Sequence, residues 1–177
     1  MKNLLIISGT PGVGKSSVAK ILKKKGWKIL NLKKIARKYQ ILTGYDEKDE
    51  TMIINEKKIS AVIKKELGNE DYVIASHLSH FVSPTLVKLC VVLRCNPLKL
   101  EKRLKKRCYS KLKVAENVMC ELLDVCLVEA IDIGHKINLH EIDTTKKKPA
   151  SVAKEILNIL NNKVKKSHGL ISWIKND

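Results

Sequence analysis

The run Leu4-Leu5-Ile6-Ile7-Ser8 leads directly into Gly9-Thr10-Pro11-Gly12-Val13-Gly14-Lys15-Ser16-Ser17, and nothing else in the chain restricts its fold as tightly. A short apolar run bounded by glycine reads as a buried strand. Val18, Ala19, Ile21 and Leu22 then recur at helical spacing as far as a stop at Gly26. Strand, glycine loop and helix, in that order, let backbone N–H groups close around an anion at a helix N-terminus. The pattern G-x-x-x-x-G-K-S is met without exception. In such a loop, Gly12, Val13 and Gly14 bring N–H groups onto a β-phosphate, Lys15 reaches the β- and γ-phosphates, and the Ser16 hydroxyl holds Mg²⁺ beside Ser17. The expected ligand is ATP or GTP with Mg²⁺.

The remaining chain alternates strand-like and helix-like runs. Residues 27–32, 71–76, 88–94 and 136–143 read as strands, the second and third each a continuous apolar run of the kind covered on both faces. Helical stretches follow residue 32 (bearing Arg37), cover Glu56 to Leu67, start at Asn96-Pro97 with an N-cap and a first-turn proline, run from Ser110 to about Ile133, and restart at Pro149. Residues 41–55, rich in Asp and Glu, read as an acidic turn. This alternation predicts an α/β fold, a five-stranded parallel sheet flanked by helices. At 177 residues the chain is a single domain, able to bury roughly 70% of its unfolded surface. Within it, residues 32–67 form an insert, 105–116 a short lid, and 163–177 a tail whose Ile171, Trp173 and Ile174 are candidates to dock on the body.

Five cysteines, an odd number without C-x-x-C spacing, sit mostly in apolar runs, as reduced core cysteines do. No stretch reaches the ~20 apolar residues of a membrane span, so a cytoplasmic protein with no membrane partner is expected. A net charge of +17 predicts attraction to polyanions, although a lysine-heavy composition also arises from heat adaptation. Only four of the 35 basic residues are arginines. Guanidinium grips phosphate as a planar fork, which marks Arg37, Arg94, Arg103 and Arg107 as positions where lysine does not serve.

A guanine-reading Asn-Lys-x-Asp is absent. An insert after the second strand and two arginines four residues apart, Arg103 and Arg107, instead match the layout of a nucleoside-monophosphate kinase, with both guanidinium groups aimed at one site. Together, SGTPGVGKSS, VIASHLSH, VVLRCNP, RLKKRCYSKLKVAENV, EIDTTKKKP and GLISWI resemble the adenylate kinase isoenzyme 6 family, of the coilin-interacting nuclear ATPase type, in its archaeal branch. The resemblance covers nearly the whole chain. It implies the P-loop nucleoside-monophosphate kinase fold with a short lid, and reversible phosphoryl transfer from Mg·ATP to AMP with a weaker intrinsic ATPase. It also implies a role in small-subunit maturation, through a platform ribosomal protein and rRNA.

Carried over by resemblance, Gly12 to Ser17 cradle the ATP phosphates, with Ser16 on Mg²⁺, and Lys147 lies in the 144–148 loop that edges adenine. Arg37 holds the AMP phosphate, Arg94 closes the fourth strand beside the substrate, and Arg103 and Arg107 neutralise the moving phosphoryl group. His77 matches the histidine of a strand-end Asp-x-His motif, but Ala75 stands where the acid belongs. That acid holds Mg²⁺ directly or through water. Asp46, Asp49 and Glu56 are the candidates to replace it. Cys108 stands where the lid usually has glycine, implying a stiffer hinge. His77 and His80 are three apart, but Ser79 and the lack of a third ligand favour hydrogen-bonding roles over a metal pair.

Overall fold

The computed structural model describes residues 4–46 and 51–174. Five strands, β1 (Leu4–Ser8), β2 (Lys28–Leu30), β5 (Tyr72–Ala75), β6 (Leu89–Arg94) and β7 (Leu139–Asp143), form one sheet in the order β2-β5-β1-β6-β7. Every pairing in it is parallel, as the alternating pattern predicts. β1 is central, with Ile7 opposite both Ala75 and Val91.

The sheet is covered on both faces because its strands are apolar on both. Leu5, Ile7, Val73, Val91 and Leu93 point to a core shared with α1 (Lys15–Lys23), α4 (Pro97–Lys105) and α7 (Pro149–Leu160). Leu4, Ile6, Ile74, Cys90 and Val92 point the other way, against α2 (Leu32–Lys38), α3 (Glu56–Glu66) and α6 (Val125–Asp132). All five cysteines are free, and Cys90 and Cys95 are buried. No described helix is long and apolar enough to cross a membrane.

The cap expected at Asn96 is made. Asn96 Oδ1 accepts from Leu98 N (3.1 Å) and Lys99 N (3.4 Å), with Pro97 in the first turn of α4. Ser110 Oγ accepts from Lys113 N at 3.2 Å and opens α5 (Lys111–Leu122).

Two expectations need correction. The acidic segment contains β3 (Leu42–Asp46) and β4 (Thr51–Ile54), an antiparallel pair, so it is a hairpin and not only a turn. The long helix after Ser110 is two helices, α5 and α6, parted at Asp124, which takes φ 57°. Asp and Asn tolerate this left-handed conformation better than most residues. Here it leaves the Asp124 carboxylate accepting from Arg94 Nη2. The fifth strand is also trimmed: residues 136–137, expected within it, belong to the 3₁₀ turn His135–Ile137 instead.

Candidate active site

The loop between β1 and α1 is shaped by backbone that side chains resist. Gly9 has φ 126°, and a Cβ there would lie 2.4 Å from the Leu93 carbonyl oxygen, so the residue must be glycine for the loop to lie against β6. Gly14 has φ 110° and nothing within 4 Å of a built Cβ, leaving the N-terminus of α1 open on that side. Ser16 and Ser17 are exposed on the first turn. Lys15 Nζ folds back to donate to the carbonyls of Gly9 and Thr10, the latter at 3.0 Å. Burial pushes its pKa down to about 8, with the Arg107 charge acting the same way and Glu121 opposing.

A cavity of about 260 Å³ adjoins the loop. Gly12, Val13, Gly14 and Ser17 line one side, and Arg103, Arg107, Thr144 and Lys147 line the other. The two arginines meet there by a route the spacing did not foretell. α4 ends at Lys105, so Arg107 reaches the cavity from the turn beyond the helix. In that turn Cys108 takes φ 59°, the conformation glycine adopts without cost. Arg103 Nη2 donates to the Thr144 carbonyl at 3.0 Å, and Thr144 Oγ1 donates to Val13 O (2.9 Å) and Arg94 O (2.8 Å), tying the 144–148 loop to the phosphate loop. Lys147 Nζ pairs with Glu155 at 2.6 Å.

Arg94 is placed differently from expectation. It is 2% exposed, and its donors are committed to Glu121 Oε1 (2.9 Å), Glu141 Oε1 (2.6 Å), the Glu121 carbonyl (3.1 Å) and Asp124. Burial works against its charge, but the carboxylates, Glu121 first, outweigh burial and leave its pKa raised. It braces the body and does not face the cavity. Arg37 is exposed in the last turn of α2, away from the cavity lining.

His77 follows the end of β5 and, although the residue is exposed, has its pKa pushed down to about 4 by desolvation and by the charges of Lys15 and Lys33. His80 is 1% exposed. Its Nδ1 lies 2.7 Å from Ser8 Oγ, while its Nε2 sits 3.0 Å from Glu129 without hydrogen-bond geometry. Desolvation likewise pushes its pKa down to about 4, with His135, His77 and Lys15 adding to the shift. Ala75 ends β5 opposite Ile7, beside the phosphate loop. Among the described residues no group of three or more His, Cys, Asp or Glu is placed to hold a metal ion. The exposed Ser16 hydroxyl and the open N-terminus of α1 suit a cation that arrives with phosphate oxygens. Of the residues considered as replacements for the missing acid, Asp46 ends β3, Glu56 begins α3, and Asp49 lies outside the described residues.

Sequence reasoning missed Thr10 and Glu121. Thr10, 2% exposed, donates through Oγ1 to Glu121 Oε2 at 2.6 Å. Glu121 is buried to 2% on α5, where a carboxylate persists only when it is paired.

A family described as AAA domain matches residues 5–124. The chain is 40% identical over 174 residues to a protein of Pyrococcus furiosus named "Putative adenylate kinase", covering 97% of this chain and 92% of the relative. A protein of the same name from Methanococcus maripaludis is 37% identical over 178 residues, covering 97% and 96%. Among solved structures, shikimate kinase from Acinetobacter baumannii in complex with shikimate superposes with TM-score 0.61 at 16% identity, covering 93% of this chain and 97% of that one. A gluconokinase from Sinorhizobium meliloti superposes with TM-score 0.53 at 17% identity, covering 90% and 92%. At these identities the two structures speak for the fold, that of P-loop kinases.

Proposed function

We propose, given that the chain belongs to the AAA-domain P-loop family and within it to the archaeal proteins named for adenylate kinase, that it is a nucleotide kinase moving a phosphoryl group from Mg·ATP to AMP. The observation that carries this reading is the convergence of the phosphate loop, Arg103, Arg107 and Lys147 on one open cavity. In the proposed reaction the attacking AMP phosphate oxygen forms a bond to the γ-phosphorus as the bond to the β-bridging oxygen breaks, leaving two ADP. Such a transfer asks the protein mainly for positioning and for positive charge.

The residues supply both. The backbone of Gly12 to Ser17 cradles the phosphates. Lys15 exchanges the carbonyls of Gly9 and Thr10 for phosphate oxygens, whose negative charge favours its protonated form. Arg103 and Arg107 neutralise charge on the equatorial oxygens from the lid side. Arg37 receives the AMP phosphate from the 32–67 insert, which requires closure toward the cavity. His77, held neutral, offers hydrogen bonds near Lys15 without adding charge. Ser16, together with the ATP phosphates, would hold Mg²⁺, which would supply charge neutralisation when bound. Slow ATP hydrolysis follows when water takes the acceptor's place.

The test is ADP formation from Mg·ATP with and without AMP, run beside Arg37→Ala. Strong AMP dependence that disappears in Arg37→Ala supports the transferase; failure of AMP to bind or to raise ADP output sinks it. A second reading has the chain as an assembly ATPase gripping a platform ribosomal protein or rRNA, and the net charge of +17 favours it. It predicts an ATP-sensitive complex with the ribosomal partner that survives Arg37→Ala, and absence of such a complex removes it.

A further inference from the structure

Glu121 lies behind the phosphate loop and joins three parts of the chain that are distant in sequence. Its Oε1 accepts from Arg94 Nε (2.9 Å), Cys95 N (3.1 Å) and Trp173 Nε1 (3.0 Å). Three donors on one oxygen fix the plane of the carboxylate and direct Oε2 to Thr10 Oγ1 at 2.6 Å. The carbonyl of that same Thr10 is one of the two that hold Lys15.

The Trp173 ring packs over Arg94, 5.8 Å from its guanidinium carbon. The segment leading to it is fastened along β7. Glu141 N donates to Ser167 O (2.9 Å), Ser167 N donates to His140 Nδ1 (2.9 Å), and Glu141 Oε2 accepts from Gly169 N and, at 3.3 Å, from Leu170 N. Residues 167–173 are thus a strap whose last anchor touches the group that holds Thr10.

We propose that Glu121 is a positioning residue of the nucleotide site and that the Trp173 indole N–H sets it, so that phosphate binding at the loop and docking of residues 167–174 are thermodynamically coupled. This rests on the reading of the cavity as an ATP site. Without the indole donor, Oε1 loses the partner that comes from the strap, the carboxylate plane is less constrained, and Thr10 and the Lys15 it holds lose their fixed start point. Linkage requires the converse: nucleotide at the loop tightens the strap by the same factor.

A double-mutant cycle on the full chain tests this, with Mg·ATP affinity measured by titration calorimetry well below the melting transition for wild type, Thr10→Val, Trp173→Phe and the pair. Phenylalanine keeps a ring over Arg94 but removes the N–H. Each single variant is expected to raise Kd at least about 5-fold, and the pair no more than the worse single, because both cut one connection. Effects that multiply, or a Trp173→Phe chain that melts earlier yet binds as wild type, mark Trp173 as an anchor only and overturn the proposal. If Trp173→Phe does not fold, Trp27→Phe leaves Trp173 as the sole indole. Its emission should shift on saturation with Mg·ATP, and unchanged emission also overturns the proposal. Failure of the wild-type chain to bind Mg·ATP removes the ATP-site reading and the proposal with it, whereas binding with no coupling removes the proposal alone.

Discussion

Replacing Arg94 by methionine keeps most of the side-chain volume and removes the charge that balances a buried acidic cluster. Glu121 is 2% exposed and Glu141 6%, and both pair with Arg94, as does the partly exposed Asp124. Taking one partner from a buried ion pair typically costs about 3–5 kcal/mol, because the remaining charge stays desolvated. Here two well-buried carboxylates are stranded, so the upper part of that range applies. For a domain of this length each kcal/mol lowers the melting midpoint by about 2–4 °C, giving a fall on the order of 10–20 °C. The assay is thermal and urea unfolding followed by circular dichroism, with variant and wild type compared at pH 8 and pH 5.5. Stranded carboxylates relieve their repulsion by taking up protons, so the gap between the two chains narrows at the lower pH. Arg94→Lys should recover only part of the loss, since an ammonium cannot spread a planar fork across acceptors from α5, β7 and the Asp124 turn. A loss under about 1 kcal/mol, or a gap that widens on acidification, refutes the view that Arg94 is the electrostatic centre of this region.

Ala75→Asp restores a carboxylate at the end of β5, beside the phosphate loop. ADP production from Mg·ATP and AMP should rise by on the order of 10²-fold if preorganised charge is what the strand end lacks, and an unchanged rate shows that the acid is dispensable. His80 predicts acid sensitivity. Its folded pKa of about 4 lies below the ordinary 6.5, so its contribution is intact above pH 6.5 and is lost as pH falls through 4. The full loss is about 3 kcal/mol, and unfolding curves at pH 7, 5.5 and 4 should show a slope that flattens in His80→Gln. The same slope in that variant assigns the effect elsewhere.

Features governed by neighbours in sequence were legible in it: the glycine loop, the alternation that gives the parallel sheet, the cap at Asn96. Features governed by partners far along the chain were not. Apolar periodicity continues through residues 123–125, and only the pairing of Asp124 with Arg94, 30 positions earlier, accompanies the break there. Arginine in a lysine-rich chain points to a phosphate ligand, the expectation for Arg94, but its forked partners are carboxylates of the protein's own fold. The β3–β4 hairpin was hidden by acidic residues that mark turns more strongly than its short alternation marks strands. Of the tail residues named as candidates to dock, Trp173 reaches Glu121, whereas Ile174 remains 52% exposed.

The sheet order has a consequence for synthesis. β1 is the first strand made, yet its two neighbours are β5 and β6, whose last residue lies 86 positions beyond Ser8. At translation rates of about 5–20 residues per second, this five-residue apolar strand waits roughly 4–17 s before both its edges are paired. Until then the segment that will carry the phosphate loop is an open edge, and it must be kept from pairing with other nascent chains.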